Sequence, residues 1–76
     1  MEFVHGLNLD IDSVNRILQI AQNKGYFPNE KNITDCYKFR FNEINQIFEF
    51  HLKTEINIIN LDMDKFVECY TIFLKM

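Results

Sequence analysis

The residues of this sequence whose types and spacing could do chemistry are two aspartate pairs, Asp10/Asp12 and Asp62/Asp64, two histidines, His5 and His51, and two cysteines, Cys36 and Cys69. Aspartates two apart can offer oxygens to Mg²⁺ or Ca²⁺, but neither pair continues into a D-x-D-x-D-G loop or a third acidic ligand. Each pair instead stands in front of an apolar-periodic run, where a carboxylate caps the free amides of a helix start. The histidines have no cysteine or acid cluster at ligand spacing beside them, and the cysteines match no metal or redox motif, so both are expected as free thiols. With only Gly6 and Gly25 in the chain, no glycine-rich phosphate loop can form. The expectation is a protein with no catalytic residues, no metal and no cofactor, and so not an enzyme.

Two short motifs carry no function. The triplet Asp12-Ser13-Val14 resembles the Asp-Ser-Leu attachment site of acyl carrier proteins, but the twelve residues before Ser13 are too few for the helix and long loop that precede it in that family. Ser13 is read as an early helix residue that helps satisfy free amides. Asn32-Ile33-Thr34 forms a glycosylation sequon, which an asparagine-rich chain produces by chance.

The chain of 76 residues reads as a single domain, 1–76, whose 47% hydrophobic content and eight phenylalanines exclude a disordered tail. At this size the core stabilises by only ~3–5 kcal/mol net, so a partner or a homodimer is expected. No apolar run is long enough for a membrane span, and MEFVHGLNLD is unlike a secretory signal, which points to the cytoplasm. Net charge is −3, but residues 36–53 carry +1 and the remainder −4. An acidic whole argues against general binding to phosphate backbones. Asn, Ile, Lys, Phe and Tyr make up 36 of the 76 residues, a bias expected of an AT-rich genome such as that of a low-GC bacterium or its phage.

These side chains must be positioned by regular elements. Glu2–Leu9 is partly alternating and reads as a strand. Val14, Ile17, Leu18 and Ala21 recur at helical spacing, with an aspartate before them and Lys24-Gly25 after, which predicts a helix over Asp10–Lys24. Gly25–Asp35, with Pro28, reads as a loop. Tyr37-Lys38-Phe39-Arg40-Phe41 and Phe48-Glu49-Phe50-His51-Leu52 alternate apolar and polar residues at period two and predict a hairpin. With Asn42–Asn45 as its loop, Tyr37 opposes Phe50, Phe39 opposes Phe48 and Lys38 opposes Glu49, four aromatics are buried, and Ile44 packs at the hairpin end. Glu55–Leu61 supplies a third strand, and Asp62 caps a last helix with Met63, Phe66, Val67, Tyr70, Phe73 and Leu74 as its apolar face. Asn8–Asp12 and Asn60–Asp64 echo one another. The expected fold is α+β, a small antiparallel sheet in β-α-β-β-β-α order with two helices on one face. The alternative is an all-α three-helix domain, in which Phe39 and Phe50 become exposed.

The sheet reading gives the chain a working surface: Lys38, Arg40, Ile47, Glu49, His51 and Lys53 share its outer face, a basic and partly apolar patch expected to bind a partner. The function expected is a non-catalytic protein-binding regulator or inhibitor, of the kind encoded by phage or mobile elements. One alternative is a nucleic-acid-binding accessory protein using Lys38, Arg40, His51 and Lys53 with Tyr37 or Phe39 for stacking, although strand alternation sets the aromatics opposite the cations. Another is an antitoxin or immunity protein that neutralises a basic toxin with Asp10, Asp12, Asp62, Asp64 and Glu68.

Overall fold

The computed structural model describes residues 9–27, 36–53 and 58–76. In chain order they form α1 (Ile11–Asn23), β1 (Cys36–Asn42), β2 (Ile47–Leu52), β3 (Ile58–Asp62) and α2 (Met63–Leu74). The strands make one antiparallel sheet in the order β1-β2-β3, so the fold is α+β and residues 36–52 are a hairpin, not a helix. The strand expected over Glu2–Leu9 lies, except for Leu9, outside the described residues, as do most of the loop before β1 and Thr54–Asn57.

Both helices begin on an aspartate. Asp10 and Asp62 adopt extended backbone angles, and each accepts a hydrogen bond at Oδ1 from the amide three residues on, Ser13 at 2.8 Å and Lys65 at 2.9 Å. The repeated Asn-Leu-Asp pattern is thus the same cap used twice. The Ser13 amide, helped by its hydroxyl, holds the Asp10 carboxyl below its usual range. At the far end of α1, Gly25 takes φ +78° and donates to the Gln22 carbonyl at 3.0 Å, while the Tyr26 amide reaches the Ala21 carbonyl at 3.1 Å. This pair of bonds is a Schellman termination, which favours glycine at the left-handed position.

The core lies between the helices and one face of the sheet. Val14, Ile17, Leu18 and Ala21 of α1 and Phe66 and Cys69 of α2 are buried against Phe48, Phe50, Leu52, Ile59 and Leu61. The Phe48 and Phe66 rings stack with centroids 3.8 Å apart and an interplanar angle of 8°, and Phe39 lies against both. Burying each such ring contributes about 1.5–3 kcal/mol, so these aromatics fasten α2 to the hairpin. Val67 and Leu74, expected on the inner face of α2, are exposed, and Cys69 fills the inner position between Phe66 and Tyr70. Tyr26 joins the helices: its hydroxyl donates to Glu68, its ring lies under the Lys65 ammonium, and Glu68 also pairs with Lys24 at 3.5 Å.

The hairpin register differs from expectation by two residues. Lys38 opposes His51, Phe39 opposes Phe50, Arg40 opposes Glu49, Phe41 opposes Phe48 and Asn42 opposes Ile47. The loop is therefore Glu43–Gln46. Asn42 stays in the strand because its Oδ1 accepts from the Ile44 and Asn45 amides, at 3.1 and 3.3 Å, and Gln46 closes the turn in the left-handed region at φ 57°. Ile44, expected to pack at this end, is 93% exposed. A register irregularity between Cys36 and Lys38 leaves Tyr37 as an extra residue. Tyr37 is 54% exposed rather than buried, and Phe41 lies against Phe48, the partner expected for Phe39. Where β1 begins, the Asn15 side chain of α1 takes the Cys36 amide on Oδ1 at 2.9 Å and donates Nδ2 to the Cys36 carbonyl at 3.2 Å.

Candidate protein-interaction face

Because side chains alternate along a strand, the residues between the buried ones turn to the sheet's other side, away from both helices. β1 sends Lys38, Arg40 and Asn42 there, β2 sends Ile47, Glu49 and His51, and Lys53 follows just beyond the end of β2. The five strand residues expected on this face are therefore on it, and Lys53, the sixth, is exposed just past the strand end. β3 adds Ile58, opposite His51, and the exposed Asn60 and Asp62.

Glu49 is the centre of the face. Its Oε1 lies 3.3 Å from Arg40 Nε and 3.3 Å from His51 Nε2, and its Oε2 accepts from Asn42 Nδ2 at 3.3 Å. A carboxylate only accepts hydrogen bonds, so the bond to His51 forms when its Nε2 carries a proton. The Asn42 amide, followed by the His51 bond and the Arg40 charge, holds the Glu49 carboxyl below its usual range despite partial desolvation. The side chain is only 19% exposed. Its charge is spoken for locally, whereas Lys38 and Lys53 have no ion-pair partner among the described residues.

No protein-family model matches this chain, and comparisons with curated proteins and with solved structures give no match.

Besides Asn60 and Asp62, the geometry adds Asn42, Tyr37 and Ile58 to the face. Asn42, expected in the loop, continues the Lys38, Arg40 alternation by one step, and that period is the signal for it. Tyr37 reaches the face through the irregularity after Cys36, its ring meeting His51 edge-on at 6.5 Å and 72°. Ile58 was hidden because Glu55–Leu61 places apolar residues at both parities, so alternation could not say which side it takes.

Elsewhere the described residues offer little chemistry. They contain no group of three or more His, Cys, Asp or Glu side chains able to hold a metal ion, and no helix among them is long and apolar enough to cross a membrane. Cys36 and Cys69 are buried free thiols. Cys36 Sγ donates to the Lys38 carbonyl at 3.3 Å, and burial pushes the Cys69 thiol up, away from the thiolate form a nucleophile needs. Of the acidic helical surface, Asp10 and Asp62 spend an oxygen on caps and Glu68 is engaged by Tyr26 and Lys24.

Proposed function

We propose that this chain is a small non-catalytic protein that regulates or inhibits another protein by binding it through the outer face of its sheet. The observation that carries this reading is the Glu49 cluster. A carboxylate fixed by Asn42, Arg40 and His51 costs little side-chain entropy when covered, and around it stand Ile47, Ile58, Tyr37, Lys38 and Lys53, the two lysines without an ion-pair partner among the described residues. Aromatic and arginine side chains near the centre with lysines at the rim is a composition typical of protein interfaces. The AT-rich residue bias supports an origin in a low-GC bacterium or its phage, and two free thiols suit a reducing cytoplasm.

The test is affinity purification from the native host with the wild-type chain and with Arg40→Glu/Lys53→Glu, both side chains being exposed. A protein retained by the wild type and lost from a double variant with unchanged circular dichroism supports the reading. Equal retention of the same protein by both variants overturns it.

One observation favours a second reading. Tyr37 stands on the same side as Lys38, Arg40, His51 and Lys53, which is the arrangement a single-stranded nucleic acid needs for stacking over cations. Against it stand the Glu49 carboxylate at the centre and a net charge of −3. A salt-dependent mobility shift with short single strands that disappears in Tyr37→Ala would establish it, and no shift at low salt retires it.

A further inference from the structure

Among the described strands β1 is an outer one, and in an antiparallel ladder every second residue of such a strand turns its N–H and C=O away from its neighbour. At Cys36 these groups are occupied by the Asn15 amide, which lies alongside the backbone as one peptide unit of a further strand. Beyond Tyr37, no described element pairs with that edge. There the strand carries a definite pattern. Lys38 and Arg40 are exposed on the outer side, while Phe39 and Phe41 are half-buried on the inner side, leaving part of each ring uncovered.

The residue types select what can lie beside this edge. A second copy of β1 related by a two-fold axis would bring Lys38 and Arg40 against the same cations of the other copy, and like charges directly opposite are destabilising. A strand with acids at alternate positions instead sets carboxylates beside Lys38 and Arg40 on one face. Its intervening apolar side chains then cover Phe39 and Phe41 on the other.

We propose that the edge of β1 from Lys38 to Asn42 is a strand-addition site for an extended partner segment that alternates carboxylate and apolar side chains. The inference rests on the reading that this chain binds a protein, and narrows that partner to one presenting an acidic strand.

The experiment uses the full-length ¹⁵N-labelled chain and two blocked eight-residue peptides, one alternating glutamate with valine and one alternating lysine with valine. The glutamate peptide is expected to slow amide exchange and shift resonances along Lys38–Asn42 and to leave Ile58–Asp62 unchanged. In Lys38→Glu/Arg40→Glu its affinity should fall roughly tenfold, as two cross-strand pairs imply, and the lysine peptide should bind in its place. Lys75→Glu, exposed at the end of α2, should leave peptide binding intact. Equal protection by both peptides, protection at Ile58–Asp62 instead, a dimer of the chain alone that protects the β1 edge, or no effect up to peptide solubility overturns the proposal. Loss of the native partner in Arg40→Glu/Lys53→Glu without any peptide effect leaves the face reading standing and removes only the edge.

Discussion

Asn15 and Cys36 are joined as two strands would be, one side-chain amide of α1 accepting the Cys36 N–H at 2.9 Å and donating to its C=O at 3.2 Å. The same Nδ2 also reaches the Ile11 carbonyl at 3.0 Å, so the residue ties the first turn of α1 to the start of the hairpin. Replacing Asn15 by Leu keeps the branched shape and removes all three bonds in a part-buried setting, which should cost about 1–3 kcal/mol. Asn15→Asp keeps the acceptor and should cost less. The midpoints of urea unfolding measure the order, and a Leu variant as stable as the wild type would remove the clamp from the stability of the fold.

Two positive-φ positions should respond in opposite directions. Gly25→Ala puts a side chain at φ +78° with nothing within 4 Å of its Cβ, so its cost is conformational alone, about 1 kcal/mol. Gln46→Gly relieves a non-glycine residue at φ 57°, although it gives up the exposed bond from Nε2 to the Glu43 carbonyl. A net gain of up to about 1 kcal/mol is expected. Thermal melts should fall for the first and rise for the second, by roughly 4–8 °C per kcal/mol in a domain of this size.

Acid should weaken the fold through Asp10 and Glu49. Both carboxyls lie below their usual range in the folded chain, so each contributes stability above the unfolded-state pKa that is lost as pH falls through the folded one. Unfolding midpoints should therefore decline on acidification below about pH 4.5. Asp10→Asn and Glu49→Gln should each flatten that decline, Glu49→Gln also releasing Arg40. An acid limb of unchanged steepness in both variants would place the pH dependence elsewhere.

The two thiols should be silent in the native state. Both are buried, and Cys69 is held in the thiol form by desolvation. A colorimetric thiol reagent at pH 8 should titrate two equivalents at once in denaturant and react in buffer only at the rate at which the chain opens. Stoichiometric reaction within the mixing time under native conditions would contradict their burial.

The helices were readable in the sequence because period and punctuation agree: Val14, Ile17, Leu18 and Ala21 share a face, and Asp10 and Gly25 close the segment at both ends. The hairpin was only half readable. Period-two alternation says which side of the sheet Phe39 or Arg40 faces, but a slip of two residues preserves every side and changes every partner. The deciding feature is the loop, where an asparagine side chain and a glutamine at positive φ do what Asn-Gly does in commoner turns, without its signature. For the same reason, Lys38, Arg40, Ile47, Glu49, His51 and Lys53 could be grouped from parity alone. Tyr37 could not, because no glycine or proline beside it marks the irregularity that turns it outward.

The placement of the cations has a kinetic consequence. Lys38, Arg40 and Lys53 lie within residues 36–53, which carry a net charge of +1 while the rest of the chain carries −4, so the molecule meets an acidic partner most favourably with the hairpin forward. In the field of such a partner it would arrive already turned that way, raising the encounter rate at low ionic strength. Added salt should then slow association far more than it hastens dissociation.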